Sequence, residues 1–306
     1  DQELSLCSIA QESVLTIGVF DGVHRGHTYL LSHLITEARN ANRMAGVVTF
    51  RNHPASVLQL GFKPRYLTSF EERLNLMNEY GVDFIAPITF NVEVSRMTAA
   101  QFAIALRKRL HMKGLIVGPD FAMGQNREGD PNTLARLGED MGFNLIVVDS
   151  MVDELGQPVR STTVREALDR GDLHPVHRYM GRNFSLDGTV VRGQGRGASL
   201  GYPTANLQPR ENMLIPGDGI YATWIHIDAD RYMAASSIGF RPTFEDRKHT
   251  IESYVIDFNK DLYGKQIRLE FVSRLRDEKK FDSIESLKKQ LHMDVNETKS
   301  VLQSRD

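Results

Sequence analysis

The strongest constraint on the fold is a change of rhythm partway along the chain. Up to about residue 170, short apolar runs alternate with amphipathic stretches. The runs are VLTIGVF (14–20), AGVVTF (45–50), FIAPITF (84–90), GLIVG (114–118) and FNLIVV (143–148). A strand that is apolar at consecutive positions is buried on both faces, as in a parallel sheet covered by helices. The intervening segments supply those helices. In the first, Leu30, Leu31, Leu34, Ile35 and Ala38 share one face at the 3.6-residue period. Ser69 with Glu72, and Thr98 with Gln101, have capping-box spacing and are expected to open two more. Gly142 is placed to stop a fourth.

After about residue 183 the runs SLDGTVV, GIYATWIHI, RYMAASSI, TIESYVIDF and IRLEFV follow one another, with turn signals at IPGDG (215–219) and GFRP (239–242). Short strands in succession predict a sandwich or small barrel. From about Ser283 the tail reads as a helix with Ile284, Leu287, Leu291 and Val295 roughly on one face. The stretch 171–183 is read as the junction, giving domains 1–182 and 183–306. A chain of 306 residues is long enough for two cores. With 41% hydrophobic and 25% charged residues it is not a disordered chain. Lys plus Arg number 37 against 39 Asp plus Glu, a net charge of −2, which argues against general nucleic-acid binding. One cysteine, Cys7, excludes an intrachain disulfide and a Cys-based zinc site. The acidic start DQELSLCSIAQ has no secretory-signal pattern, and no apolar run reaches the ~18 residues of a membrane span. A cytoplasmic protein with small-molecule substrates, no nucleic-acid or membrane partner, and scope for a homo-oligomer is expected.

Chemistry concentrates at two glycine-rich strings. The first strand runs directly into GVFDGVHRGHTYLL (18–31). Gly18, Gly22 and Gly26 permit a tight turn and close backbone approach. The helix that follows offers free N–H donors and partial positive charge to an anion. His24 and His27 bracket its start and are placed to donate to phosphate oxygens as charge builds in a transition state. The plain alternative is a glycine turn with surface histidines. The second string, GQGRGASLGYPTANL (193–207), fits a loose dinucleotide fingerprint at 193–198. That match fails, because Pro203 stands where a helix would have to run.

HRGH after a strand and before a helix resembles the His-x-Gly-His signature of the nucleotidyltransferases. The longer GVFDGVHRGH is similar to the N-terminal module of prokaryotic bifunctional riboflavin kinase/FAD synthetases. TFRNHP (49–54), GPDFAMGQNREGD (118–130) and VRSTTVREAL (159–168) resemble further blocks of that family in order. The resemblance implies catalytic roles for His24 and His27. It implies nucleotide or phosphate contacts from Gly18, Phe20, Gly26, Asp120, Ser161, Thr162 and Arg165, and a flavin contact from His53. The plain alternative for Ser161, Thr162 and Arg165, at the start of the helix, is N-capping. Met123 departs from a family phenylalanine and Arg160 from a serine. Adenylyl transfer from ATP to the phosphate of FMN needs alignment and charge stabilisation, not a protein nucleophile. The one Gly-Lys, at 264–265, lacks the rest of a Walker A motif.

The second string is similar to the riboflavin kinase signature, with Ala198 and Tyr202 as departures. The resemblance implies that Gly195 and Gly197 wrap nucleotide phosphates, and that Thr204 and Asn206 hold a Mg²⁺–nucleotide complex. Magnesium prefers such hard oxygen ligands. The alternative is a glycine-rich β-turn. Strand alternation puts Glu252, Tyr254 and Ile256 on one face and Ser253, Val255 and Asp257 on the other. By resemblance Glu252 is the general base acting on the ribityl 5′-hydroxyl of riboflavin. RLRDEKKF (274–281) is similar to the flavin-side loop, with Arg276 the flavin contact. The implied fold is a doubly wound, Rossmann-like α/β nucleotidyltransferase followed by a small Greek-key β-barrel with a C-terminal helix. The implied activities are phosphorylation of riboflavin to FMN and adenylylation of FMN to FAD, with ATP as co-substrate and Mg²⁺ as cofactor. Two rivals are an enzyme with one module disabled through Arg160 or Ala198, and a non-catalytic flavin or nucleotide binder. The second has no use for a general base.

Overall fold

A computed structural model describes residues 2–7, 9–193, 195–241 and 248–305. Gln194 of the second glycine-rich string, and 242–244 of the SIGFRPTF block, lie outside the described residues. The chain divides into two compact units, Asp1–Pro64 with Phe70–Arg160, and Arg65–Ser69 with Ser161–Asp306.

In chain order the first unit contains α1 (Gln2–Leu6), β1 (Ser13–Gly18), α2 (Arg25–Asn40), β2 (Met44–Phe50), α3 (Ala55–Leu58), α4 (Phe70–Glu79), β3 (Phe84–Ile88) and α5 (Val92–Ser95). It continues with α6 (Ala99–Leu110), β4 (Met112–Val117), α7 (Pro131–Met141) and β5 (Asn144–Val147). All neighbouring strands run parallel, in the order β3-β2-β1-β4-β5. The unbroken apolar runs are explained by burial on both sides. Val14, Val47 and Ile116 pack with Leu31, Leu34 and Ala38 of α2. Their neighbours Leu15, Val48 and Leu115 pack with Phe102, Leu106 and Leu110 of α6 on the opposite face. Two of the start and stop signals act as expected. Thr98 and Gln101 form both halves of a capping box, and Gly142 closes α7 with φ 72°. Ser69 immediately precedes α4.

The second unit holds α8 (Ser161–Asp169), α9 (Leu173–Met180), β6 (Phe184–Val191), α10 (Arg196–Ser199), β7 (Thr204–Pro209), β8 (Gly219–Ile227), β9 (Asp230–Arg241), β10 (Lys248–Val255), β11 (Gln266–Arg276) and α11 (Ile284–Gln303). The strands close into an antiparallel barrel in the order β10-β7-β6-β11-β8-β9. Three hairpin-linked strands, β8, β9 and β10, are followed by β11, which returns to lie beside β8. That is the Greek-key arrangement. Helix α11 covers Ala222, Trp224 and Val272 through Leu302.

Three details differ from the sequence reading. Much of 171–183 is not a linker but α9, capped by Asp172 and ended by Gly181 at φ 71°, and it packs on β6 and β11. A further strand, β7, follows Pro203 directly. In α11, Ile284 is exposed, and the buried positions are Asp294, Thr298 and Leu302. Ile284 shares its helical face with Leu302, about five turns away, and is exposed at the first turn, while Leu287, Leu291 and Val295 on that face are half-buried. Among the described residues no helix is long and apolar enough to cross a membrane.

Candidate active sites

The β1–α2 turn is tightly wound. Phe20 (φ 53°), Gly22 (φ 84°) and Val23 (φ 36°) all adopt positive φ, and the two non-glycine side chains are buried. Such backbone persists only where surrounding structure over-determines it, and it clusters at functional sites. Gly18 leaves room for the Phe20 ring, 3.1 Å from where a Cβ would stand. A Cβ on Gly26 would come 2.6 Å from the carbonyl oxygen of Val159, so only glycine fits. His24 is the N-cap of α2 and is 3% exposed. The backbone N–H of His27 donates to the His24 carbonyl at 2.7 Å and, over a long 3.4 Å, to His24 Nδ1. The two imidazoles stack with centroids 3.7 Å apart, and the Phe20 ring packs edge-on to His27 at 5.2 Å. Gly18, Phe20, His24, Gly26 and His27 are therefore brought together at one helix N-terminus.

Arg73 holds this turn in place, and the sequence reading missed it. It is 2% exposed, projects from α4, and donates to the carbonyl oxygens of Val19 and of Phe50, the latter at 3.0 Å. It thus ties the carboxyl end of β1 to that of β2. The available signal was a charge on the inward face of α4, in register with the buried Met77.

β1 and β4 are adjacent, and the chain winds away from them in opposite directions. The crevice beyond their carboxyl ends is where doubly wound sheets bind ligands. Asp120 stands in the loop after β4. Its carboxylate pairs with Arg160, and its main-chain carbonyl accepts from Arg127 at 3.2 Å. An open cleft of about 660 Å³ is lined by Pro119, Asp120, Phe121, Arg127, Asp130 and Asn132. Asp130 caps α7, and the backbone N–H and hydroxyl of Thr133 hold its carboxyl below the usual range. Met123 turns inward to the core below α6, so its departure from phenylalanine is absorbed by packing. His53 accepts from the Ala55 N–H through Nδ1 at 3.1 Å, and its ring lies 5.2 Å from that of Phe62.

Ser161, Thr162 and Arg165 occupy the first turns of α8, in the second unit. Arg165 Nε donates to the carbonyl of Arg65 at 2.9 Å, and Arg65 is itself paired with Asp169.

On the barrel, β7 and β10 pair so that Asn206 lies opposite Glu252 and Thr204 opposite Tyr254. Directly opposed residues share a face. Thr204 Oγ1 donates to Glu252 Oε2 at 3.2 Å. The opposite face belongs to the barrel interior, where buried Ser253, Ser236 and Thr223 form a hydroxyl ladder with 2.8 and 2.7 Å links. The glycine-rich string is shaped around this site. A side chain on Gly193 would collide with the amide of Asn206, and one on Gly197 with the Tyr202 carbonyl. Gly195 takes φ 68°. Glu278 joins the neighbourhood through the Ser237 hydroxyl, and Ser237 lies opposite Glu252. Burial, then the nearby Asp218, pushes the Glu278 carboxyl up.

Arg276 is gripped from α11. Its Nε and Nη2 meet the two Asp294 oxygens at 2.8 and 2.6 Å, and Gln290 supports Asp294 at 2.8 Å. The sequence reading named Arg276 but not its holder. Asp294 signals itself only as an acid on the inner face of a helix. Among the described residues no cluster of three or more His, Cys, Asp or Glu is arranged to hold a metal.

Comparison with known proteins agrees with this division. Residues 7–163 match the FAD synthetase family model, and residues 180–302 match the riboflavin kinase model. The chain is 35% identical over 283 residues to the bifunctional riboflavin kinase/FMN adenylyltransferase of Escherichia coli K12, covering 92% of this chain and 90% of the relative. It is 31% identical over 289 residues to the Listeria monocytogenes protein of the same name, covering 94% and 91%. It also superposes with TM-score 0.88 and 29% identity, over 95% of each chain, on a crystal structure from Streptococcus pneumoniae described as a macrolide-efflux protein. That description speaks for that protein alone. An adenylyltransferase fold, a kinase barrel and relatives that carry both activities converge: the chain belongs to the bifunctional riboflavin kinase/FMN adenylyltransferase family, and is an enzyme that phosphorylates riboflavin to FMN and adenylylates FMN to FAD.

Proposed function

We propose that the two reactions are carried out by the residues assembled above. In the barrel, Glu252 is the general base. It takes the proton of the ribityl 5′-hydroxyl as that oxygen bonds to the γ-phosphorus of ATP, the bond to the β,γ-bridging oxygen breaks and ADP leaves. The observation that carries this reading is the shared face of Thr204, Asn206 and Glu252, with Thr204 bonded to the carboxylate. Gly195 and Gly197 let the loop backbone wrap the phosphates. The donor set suits Mg²⁺, because a hydroxyl and an amide oxygen beside a carboxylate are hard ligands that leave positions for phosphate and water. Thr204 and Asn206 would hold the ion, which when bound neutralises phosphate charge. Arg276, kept in place by Asp294, is the flavin contact.

In the α/β unit, the phosphate of FMN attacks the α-phosphate of ATP, and pyrophosphate leaves. His24 and His27, stacked at the positive end of α2, donate to the phosphate oxygens as charge builds. Gly18, Phe20 and Gly26 shape the turn, and Asp120, Ser161, Thr162 and Arg165 contact the nucleotide. His53 presents its ring to the flavin. A cytoplasmic setting, where ATP and Mg²⁺ are supplied, is part of this reading. The test is to incubate the protein with riboflavin, ATP and Mg²⁺ and separate the flavins. FAD shows both centres at work, FMN alone shows a dead adenylyltransferase, and no product overturns the reading.

A further inference from the structure

An arginine joins the two lips of the crevice between β1 and β4. On the β1 side, the carbonyl of Val159 rests against Gly26 in the first turn of α2. The next residue, Arg160, reaches the β4 side, where its guanidinium pairs with the Asp120 carboxylate. The Arg127 guanidinium donates to the Asp120 main-chain carbonyl at 3.2 Å. Arg160 therefore spans the mouth of a crevice whose wall is the N-terminus carrying His24 and His27. Its side chain is 55% exposed and that of Asp120 is 71% exposed. Ion pairs this open to solvent are weak and exchange readily. A polyphosphate is a stronger partner, because a guanidinium fork binds two of its oxygens at once and it carries more charge.

We propose that Arg160 is a pyrophosphate clamp for adenylyl transfer. In the empty site it holds the loop of Asp120. When ATP enters, it exchanges Asp120 for oxygens of the β- and γ-phosphates. As an FMN phosphate oxygen bonds to the α-phosphorus, the bond to the bridging oxygen breaks. The electron pair departs on pyrophosphate, and Arg160 neutralises part of that charge. Arg160 is thus a determinant of nucleotide affinity rather than the lesion that its departure from serine suggests. The inference rests on placing ATP at the α2 N-terminus.

The full chain tests it, with FAD formation followed forward from FMN and ATP and backward from FAD and pyrophosphate. Arg160→Ser is expected to raise KM for ATP and for pyrophosphate roughly tenfold, the size of one lost charge-assisted contact. KM for FMN, riboflavin phosphorylation and the melting temperature should stay at wild-type values. Arg160→Lys keeps the charge without the fork, so it should fall between. Wild-type KM values for ATP and pyrophosphate in Arg160→Ser would overturn the clamp. So would a joint rise in all KM values with a lowered melting temperature, which marks a purely structural role. Failure of the underlying site assignment looks different: His27→Ala would then make FAD at the wild-type rate, and the clamp would fall with it.

Discussion

Glu252 has little to distinguish it in sequence, since it sits in a run of alternating residues like any solvated strand position. What singles it out in three dimensions is the company it keeps: the Thr204 hydroxyl at 3.2 Å and Asn206 directly across the ladder. Glu252→Gln preserves shape and removes the base. Kinase turnover should therefore fall about 10²–10⁴-fold, with riboflavin and ATP binding retained and FAD still made from supplied FMN. Steady-state kinetics of the two half-reactions check this, and normal kinase turnover would remove the base assignment. His27→Ala should cost FAD formation roughly 10²–10³-fold, as for loss of one transition-state donor. Production of FMN from riboflavin should not change, and a wild-type adenylylation rate in the variant would contradict the role. His24 is legible as a helix cap because the motif places it one residue before α2. Its stacking on His27 is not legible, because it depends on the positive-φ turn beneath. Met123 and Arg160 both read as blemishes on a family pattern. Only packing separates them: one is core, the other spans a crevice.

At the level of elements, the parallel strands and their helices could be read because burial on both faces leaves an unbroken apolar signature. Helix α9 and strand β7 could not. A short helix rich in histidine, with a proline, resembles a loop until its Asp172 cap and its contacts with β6 and β11 are known. β7 begins at Thr204, straight after Pro203 and the glycine-rich string, so glycine and proline turn signals masked it. Arg73 illustrates the same limit. Inward arginines are rare enough that α4 reads as a solvated face there, yet two strand ends depend on it. Arg73→Leu keeps the volume apolar and leaves the Val19 and Phe50 carbonyls without this donor. A buried polar group left unpaired costs about 1–3 kcal/mol. The α/β unit should unfold at lower urea and adenylylation should drop, while riboflavin phosphorylation persists. Urea titration paired with assays of both products would show it, and loss of both activities together would mean the effect is not local to the β1–α2 turn.

For the whole molecule, the proposed functional partition at 182/183 keeps every adenylyltransferase block before the cut and every kinase block after it. The compact units divide earlier, between Arg160 and Ser161. Fragments beginning at 161 and at 183 should both convert riboflavin to FMN, but the shorter one lacks α9 against β6 and β11. It is expected to unfold at lower urea, as measured by circular dichroism alongside product analysis. Equal midpoints would show that α8 and α9 contribute nothing to the barrel's stability. The segment Arg65–Ser69 adds a complication with a use. It lies early in the chain yet belongs to the second unit. Tyr66 exchanges backbone bonds with Asn212 at 2.7 Å and Leu214 at 2.8 Å, and Arg65 pairs with Asp169. The polypeptide thus enters the second unit, leaves it and returns. A protease nick at 160/161 would not set two particles free, because the first piece still carries a clasp bound into the second. The halves made as separate polypeptides have, in that clasp, a built-in means of finding each other.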